Sequence, residues 1–180
     1  MFIETARLKL IPATLSMARA EIAGTPEFAR LLGASVPRNW PPQGVEDALP
    51  LFLDWLEAAP EAVGWYSWYA LEVSDPAATP VLVGSGGFLG PPQYGVVELG
   101  YSVLTQFQGQ GFATEIVGGL IQWAFAQPGV ELIAAETETA NPASERVLMK
   151  SGFSRIGAVG ADGGERFELG RDKSEPGSDG

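Results

Sequence analysis

A pair of glycines directly before an apolar helical pattern constrains this chain more than any other feature of its sequence. Residues 106–115 read QFQGQGFATE, in which Gly109 and Gly111 are flanked by glutamines, and apolar residues then recur with helical spacing to about residue 127. Glycine lets backbone N–H groups come close to a ligand, and the start of a helix favours negative charge. The stretch therefore predicts an anion site, for which a phosphate group is the first candidate.

Three interpretations of this glycine pair remain open at the level of the residues. The first is an ordinary glycine turn between a strand and a helix. The second is a dinucleotide fingerprint, for which Glu131 lies at the distance of a ribose-binding acid; Thr114, however, occupies the third glycine position, and such a fingerprint belongs in the first turn of a βαβ unit. The third is a site for the diphosphate of an acyl-coenzyme A. A Walker loop is excluded because no Gly-Lys-Ser/Thr follows.

The composition limits the chemistry that the chain performs. It has no cysteine and no histidine, which excludes a Ser-His-Asp triad, a thiolate nucleophile and a zinc site of the usual kind, so we expect no metal. The 11 Lys and Arg residues stand against 22 Asp and Glu residues, a formal net charge of -11. Such a surface disfavours nucleic acid and favours cationic partners.

The apolar content points to one packed domain. Of 180 residues, 46% are hydrophobic, but the apolar runs are too short for a membrane span and the start MFIETARLKL does not resemble a signal peptide. We therefore expect no membrane association and a cytoplasmic location. We predict a domain over residues 1–170 and a flexible polar tail over residues 171–180.

Periodicity predicts an α+β fold, with a mixed sheet in place of a regular βαβ series. The predicted strands cover residues 7–12, 65–73, 81–90, 95–104, 130–137, 153–158 and 165–169. The predicted helices comprise two short ones within residues 14–34, one at 45–58, one at 111–127 and one at 142–150, with a proline-rich loop at 33–44. Asn141 and Pro142 are typical of a helix N-cap and first turn.

Several motifs, taken together, resemble one family. Gln108-Gly109-Gln110-Gly111-Phe112-Ala113 resembles the Q/R-x-x-G-x-G/A signature of the GNAT N-acetyltransferases. Its ribosomal-protein alanine acetyltransferase branch is similar in three further segments that lie in the same order, and the resemblance as a whole covers roughly residues 4–169. These segments are ETARLKLIP near the N-terminus, Glu98-Leu99-Gly100-Tyr101 upstream of the loop, and Asn141-x-x-Ser144-x-Arg146-Val147-Leu148-x-Lys150-x-Gly152-Phe153 downstream.

The resemblance implies a fold and an activity. The fold is a central mixed, mostly antiparallel sheet with helices on both faces, in which a splayed parallel strand pair holds the cofactor. The activity is transfer of an acetyl group from acetyl-CoA to a primary amine, either a protein N-terminus or a small cationic amine, by direct attack in a ternary complex. A homodimer is a further expectation. The alternative is a non-catalytic GNAT-like module that binds an acyl-CoA.

The resemblance also implies which residues bind acetyl-CoA. The diphosphate is expected on the backbone N–H groups of the loop, and Thr114 adds a hydroxyl donor there. Strands 96–104 and 130–137 are expected to hold the pantetheine, with the amide of Val103 at the thioester carbonyl and Asn141 as a second contact. The expected loop residues are Gln108, Gly109, Gln110, Gly111, Phe112 and Ala113.

Two residues are candidates for proton transfer. Strand alternation places Glu98 on a small, polar face with Gly100 and Ser102, where a carboxylate of raised pKa would accept the amine's proton through a water. Cross-strand pairing of Glu98 is the alternative. The family's tyrosine acid is replaced here by Leu148, so Ser144 is the candidate for contacting the coenzyme sulfur; the alternative is that it satisfies a free helix N–H.

Trp40 is the candidate for the acceptor site. It lies in the proline-bounded loop, where a large apolar side chain needs a reason. It either lines the acceptor cleft or anchors the loop on the core.

Overall fold

A computed structural model of the chain describes residues 1–42, 44–138, 141–159 and 163–171. The strands are β1 (Ile3–Glu4), β2 (Leu8–Pro12), β3 (Ser67–Glu72), β4 (Val81–Phe88), β5 (Val96–Val103), β6 (Leu132–Glu138), β7 (Ser154–Val159) and β8 (Gly164–Gly170). The helices are α1 (Leu15–Ile22), α2 (Pro26–Leu32), α3 (Leu49–Ala58), α4 (Phe112–Ala126) and α5 (Pro142–Lys150).

The strands form an eight-stranded sheet in the order β1-β2-β3-β4-β5-β6-β8-β7. Neighbouring strands pair antiparallel except β5 and β6, which are parallel. The predicted mixed, mostly antiparallel sheet is therefore confirmed.

The parallel pair separates part of the way along its length. β5 and β6 pair only from Val96 opposite Leu132 to Glu98 opposite Ala134. Beyond that point β5 continues against β4 as far as Val103, while β6 continues against β8 as far as Glu138. A gap therefore opens inside the sheet between the carboxyl ends of the two strands.

Helices cover the sheet on both faces. On β3, Trp68 and Ala70 belong to the hydrophobic cluster beneath α4, whereas Tyr69 and Leu71 belong to a second cluster with α1, α2 and α3. Adjacent strand residues point to opposite faces, so this alternation accounts for the two layers. The α4 layer is tight, because a Cβ at Gly86 would lie 2.9 Å from side-chain carbons of Ile116 and Leu120.

The observed elements depart from the predicted ones in two places. The helix predicted over residues 45–58 begins at Leu49, which puts Pro50 in the first turn, where its missing N–H has no helical partner to lose. β1 was not predicted because a two-residue strand carries no periodicity.

The C-terminal end of the domain is described as far as Arg171. Its guanidinium donates to the carbonyl of Val130 at 2.7 Å, so this residue is tied to the turn before β6. The rest of the predicted tail, residues 172–180, lies outside the described residues. Within the described ranges, no helix has the length and apolar character to cross a membrane.

Candidate active site

Two hollows meet at the gap between β5 and β6. The first, which we call the narrow groove, has a volume of about 440 Å³. It begins at the gap and is bounded by residues 107–114 on one side and by α5 on the other. The second, which we call the wide cleft, has a volume of about 850 Å³ and extends from the gap towards α3 and the loop before it. Both hollows are lined by Tyr101, Ser102, Val103, Gln108, Asn141 and Ser144. A ligand in the groove and a ligand in the cleft would therefore meet at these residues.

The backbone of β5 offers donors to the gap. Leu89 donates its N–H to Glu98 O at 3.0 Å, and Leu104 donates to Val83 O at 2.9 Å. Paired residues alternate along an antiparallel ladder, and the pairing with β4 shows no register shift. The N–H groups of Tyr101 and Val103 consequently point away from β4, into the gap.

The glycine loop approaches the groove with its backbone. Gly109 and Gly111 have φ angles of 73° and 84°, in the left-handed region that favours glycine. The side-chain amide of Gln108 donates to Val103 O at 3.0 Å, which ties the loop to the end of β5. α4 begins at Phe112, so the first-turn N–H groups have no partner inside the helix and are suited to an anion.

The structure brings most of the predicted coenzyme residues together at the groove. The predicted residues that line it are Val103, Gln108, Gly109, Gly111, Phe112, Ala113, Thr114, Asn141 and Ser144. Gln110 faces outward instead, since its carbonyl accepts from Arg7 Nη1 at 3.0 Å.

Two cations in the groove were not given a role from the sequence. Arg146 and Lys150 lie one helical turn apart on α5 and both line the groove. Their i, i+4 spacing was the available signal, because it puts both side chains on the face shared with Ala143 and Val147. The groove therefore combines backbone donors, a helix N-terminus and two positive side chains.

Ser144 pairs with a tyrosine from the strand. The hydroxyls of Tyr101 and Ser144 are 2.7 Å apart, and Tyr101 also donates to the carbonyl of Ser144 at 3.1 Å. Burial raises the pKa of Tyr101, and the hydrogen bond with Ser144 opposes that rise. Leu148, at the position of the family's tyrosine, is 1% exposed. A tyrosine hydroxyl thus reaches the narrow groove from β5 and not from α5.

Asn141 caps α5 as predicted. Its side-chain oxygen accepts from the N–H of Ser144 at 3.0 Å. Because Asn141 also lines both hollows, capping and contact with a ligand are compatible roles for it.

Glu98 lies on the sheet face opposite α4, as the alternation predicted. Val97, Leu99 and Val103 are buried in the α4 cluster, whereas Gly100, on the face of Glu98, is exposed. Burial raises the pKa of Glu98, the nearby Glu136 carboxylate raises it further, and Arg166 acts in the opposite direction. Glu98 is not among the described residues that line the wide cleft; Glu136 and Glu138, on β6, are.

The wide cleft has an acidic side that was missed from the sequence. Glu136 follows Ala134 at strand spacing, and Ala134 is the register partner of Glu98, so both carboxylates lie on one face. Recognising this required the β5–β6 register. Across the cleft, the loop before α3 contributes Asn39, Pro42 and Val45.

Trp40 packs in the second hydrophobic cluster. Its ring lies 6.5 Å from that of Phe28 and 6.3 Å from that of Tyr69, measured between centroids, and its Nε1 donates to Glu21 at 2.8 Å. It is not among the described residues lining the cleft, whereas its neighbour Asn39 is. Trp40 anchors the loop that bounds the cleft.

The site is suited to an anion and a carbonyl group, because backbone donors face both the groove and the gap. In the described part of the chain, no group of three or more His, Cys, Asp or Glu side chains is placed to hold a metal ion. Preorganised N–H groups at a gap between strands are suited to polarising a carbonyl, and the Tyr101–Ser144 pair places two hydroxyls beside them.

Comparisons with known proteins agree with this geometry. The family model described as an acetyltransferase (GNAT) domain matches residues 7–154. An uncharacterized N-acetyltransferase of Bacillus subtilis, YjdG, is 28% identical over 154 residues, which cover 85% of this chain and 89% of the relative.

Solved structures share the fold across the whole length. The ribosomal-protein-S5-alanine acetyltransferase from Vibrio fischeri superposes with a TM-score of 0.65 at 20% identity, over 98% of this chain and 100% of that one. The ribosomal L7/L12 α-N-protein acetyltransferase RimL, in complex with coenzyme A, has a TM-score of 0.63 at 18% identity, over 96% and 99% of the two chains. The chain belongs to the GNAT acetyltransferases and is an acetyl-CoA-dependent N-acetyltransferase.

Proposed function

We propose that acetyl-CoA occupies the narrow groove and that a cationic primary amine enters through the wide cleft, so that the two substrates meet at the β5–β6 gap. The observation that carries this proposal is the set of residues shared by both hollows, among them Tyr101, Val103 and Ser144. The amine loses a proton and attacks the thioester carbonyl directly as the neutral amine; the C–N bond forms, the C–S bond breaks and the coenzyme thiolate leaves, so no acyl-enzyme is formed.

The coenzyme is held along the groove in three parts. The diphosphate binds the loop from Gln108 to Gly111 and the start of α4, while Arg146 and Lys150 balance its charge. The pantetheine runs through the gap in the position of a missing strand, and the Val103 N–H donates to the thioester carbonyl. Such a donor stabilises the developing oxyanion by roughly 2.7–4 kcal/mol in a preorganised site.

Proton transfer follows from the groups around the gap. Glu98 does not line the cleft itself but lies on the same sheet face as Glu136, which does, so it accepts the proton of the attacking amine through a water. Burial raises the pKa of Glu98, which suits it to this role. Ser144, hydrogen-bonded to Tyr101, donates a proton to the departing thiolate and regains one from water.

The acceptor is a cation because the cleft is acidic, even though Arg166 Nη1 pairs with Glu136 Oε1 at 3.3 Å. Glu136 and Glu138 line it, and the net charge of the whole chain is -11. The neighbour RimL, a ribosomal L7/L12 α-N-protein acetyltransferase, supports a protein N-terminus as one form of this acceptor. A small diamine satisfies the same charge pattern.

Calorimetry with coenzyme A and thiol-release assays across amines test the proposal. We expect binding of coenzyme A and turnover that prefers a diamine or a basic N-terminal peptide to a neutral amine of similar length. Glu136→Gln should raise KM for the cationic acceptor while leaving KM for acetyl-CoA unchanged, and Glu57→Gln, an exposed carboxylate on α3, is the matched control. Coenzyme binding without turnover of any amine would instead support a non-catalytic module.

A further inference from the structure

Arg7, just before β2, reaches the loop that precedes α4 from more than 100 residues away in the chain. Its Nη1 donates to the carbonyl of Gln110 at 3.0 Å. Its Nε and Nη2 both lie 2.9 Å from Oε2 of Glu115, in the first turn of α4. The guanidinium is therefore fixed between a carboxylate and a loop carbonyl.

Glu115 is held from the other side as well. Its Oε1 accepts from the Thr5 hydroxyl at 2.5 Å and from the backbone N–H of Arg7 at 2.6 Å. Burial acts to raise the pKa of Glu115, but these hydrogen bonds and the charge of Arg7 together lower it below its ordinary value. The carboxylate remains ionised at neutral pH, so the clamp of Thr5, Arg7 and Glu115 stays closed.

The clamp determines the direction of one peptide group. The Gln110–Gly111 peptide bond is trans, and in a trans peptide the C=O and the next N–H point in opposite directions. When Arg7 binds the carbonyl of Gln110 on the outside, the N–H of Gly111 turns towards the groove that Gly111 lines. A Cβ at Gly111 would lie 3.3 Å from Arg7 Nη2, which shows how closely the guanidinium rests on this residue.

We propose that Arg7, ion-paired with Glu115, is a positioning residue that orients the Gly111 N–H towards the coenzyme diphosphate. This inference rests on the proposed coenzyme site. Arg7 itself is not among the described residues that line the groove, and its charge is matched by Glu115. Its role is therefore to orient the peptide, and it does not contact the ligand.

The test compares an acetyl donor that carries a diphosphate, acetyl-CoA, with one that lacks it, S-acetylpantetheine. In Arg7→Met the stem still packs over the ring of Phe112, against which the guanidinium now lies at 4.4 Å, but every side-chain hydrogen-bond donor is lost. We expect the Kd for coenzyme A to rise by about tenfold, because one hydrogen bond to a charged group is lost or misdirected. The kcat/KM for S-acetylpantetheine, which has no diphosphate, should stay within about twofold of the wild type, the scatter common for a change outside the contact site.

Two further variants sharpen the result. Arg7→Lys keeps the charge but loses the fork that binds the carboxylate and the carbonyl together, so its affinity should remain reduced. Arg19→Met removes an exposed arginine that is paired with Glu57 on another part of the surface, and it should bind coenzyme A like the wild type. If Arg7→Met does not fold, Glu115→Gln provides the same comparison with a shape-conserving change.

The outcomes that overturn the proposal are distinct. An unchanged Kd in Arg7→Met, full recovery in Arg7→Lys, or an equal loss with S-acetylpantetheine would each exclude a positioning role at the diphosphate. Failure of the wild-type protein to bind coenzyme A would instead overturn the proposed function.

Discussion

The hydroxyl of Tyr101 on β5 lies 2.7 Å from the hydroxyl of Ser144 in the first turn of α5. This contact crosses the gap in the sheet and joins the narrow groove to the wide cleft, since both residues line both hollows. Two hydroxyls in contact share a proton more readily than either alone, because the loss of a proton from one is stabilised by donation from the other.

Removal of either hydroxyl of the Tyr101–Ser144 pair tests the proposed proton donor. Ser144→Ala should lower kcat by roughly tenfold or more, whereas the Kd of acetyl-CoA should change little, because the effect is on the leaving thiolate. Tyr101→Phe should cause a similar loss. A double mutant should lose less than the product of the single effects, with a coupling of about 0.5–3 kcal/mol, since the two hydroxyls act together.

A change of leaving group provides the control for this pair. An acetyl thioester of a more acidic thiol needs less help from an acid, so both variants should recover rate with it. Equal losses with both thioesters would show that the hydroxyls hold structure and do not supply a proton.

Removal of the Glu98 carboxylate tests the proposed base. Burial and the neighbouring Glu136 raise its pKa, so a base at this position loses activity at a higher pH than an ordinary glutamate would. Glu98→Gln should lower kcat by roughly 10²–10⁴-fold and remove the acidic limb of the kcat/KM profile, with coenzyme affinity unchanged.

Glu136→Gln tests the same assignment through the neighbour. Removing a carboxylate that raises the pKa of Glu98 should shift the acidic limb to lower pH while leaving it present. A fully active Glu98→Gln enzyme with its acidic limb intact would assign the base to another group.

Features that depend on near neighbours in the chain were predictable from the sequence. The loop at Gly109 and Gly111 and the cap at Asn141 are examples, because left-handed glycines, helical periodicity and capping residues act over a few positions. The small polar face of Glu98 was predictable for the same reason, as strand alternation is local.

Contacts that depend on sheet order were not predictable. Tyr101 meets Ser144 from 43 residues away, and Arg7 meets Gln110 from 103 residues away. Both contacts exist because β5 and β6 diverge and because β2 lies beneath α4, which no pattern in either segment records. The position of the Glu136 carboxylate beside Glu98 can likewise be recognised only from the register between β5 and β6.

A side chain introduced at Gly111 tests the proposed diphosphate site. Gly111→Asp puts a side chain in the left-handed region with its Cβ 3.3 Å from Arg7 Nη2, so the new carboxylate competes with Glu115 for the guanidinium and displaces the loop proposed to bind the diphosphate. The Kd for coenzyme A should therefore rise by tenfold or more, which is about 1.4 kcal/mol or above. Gly24→Asp is the matched control: Gly24 also has a positive φ, of 62°, and has open space around it. The two variants share the charge change and the backbone strain, so a similar loss of affinity in both would exclude a local effect at the loop.

The buried carboxylate of Glu21 is predicted to contribute to the free energy of unfolding. It is 9% exposed and accepts from the Tyr69 hydroxyl at 2.6 Å and from Trp40 Nε1 at 2.8 Å. Burial raises its pKa, and the two hydrogen bonds only partly oppose this. Glu21→Ala leaves both donors without this partner in the layer that supports the cleft, so the free energy of unfolding should fall by about 1–3 kcal/mol.

The pH dependence of stability follows from the sign of this shift. A carboxyl whose pKa is higher in the folded protein binds its proton more tightly there, so its favourable contribution is complete below the unfolded pKa. That contribution is lost as the pH rises through the raised folded pKa. Urea unfolding of the wild type and of Glu21→Gln should therefore show the wild type gaining stability relative to the variant as the pH falls from 7 towards 4. Glu61→Gln, at an exposed position, is the control for the loss of a carboxylate that is not buried. A constant difference between the wild type and Glu21→Gln across this range would mean that Glu21 titrates alike in the folded and unfolded states.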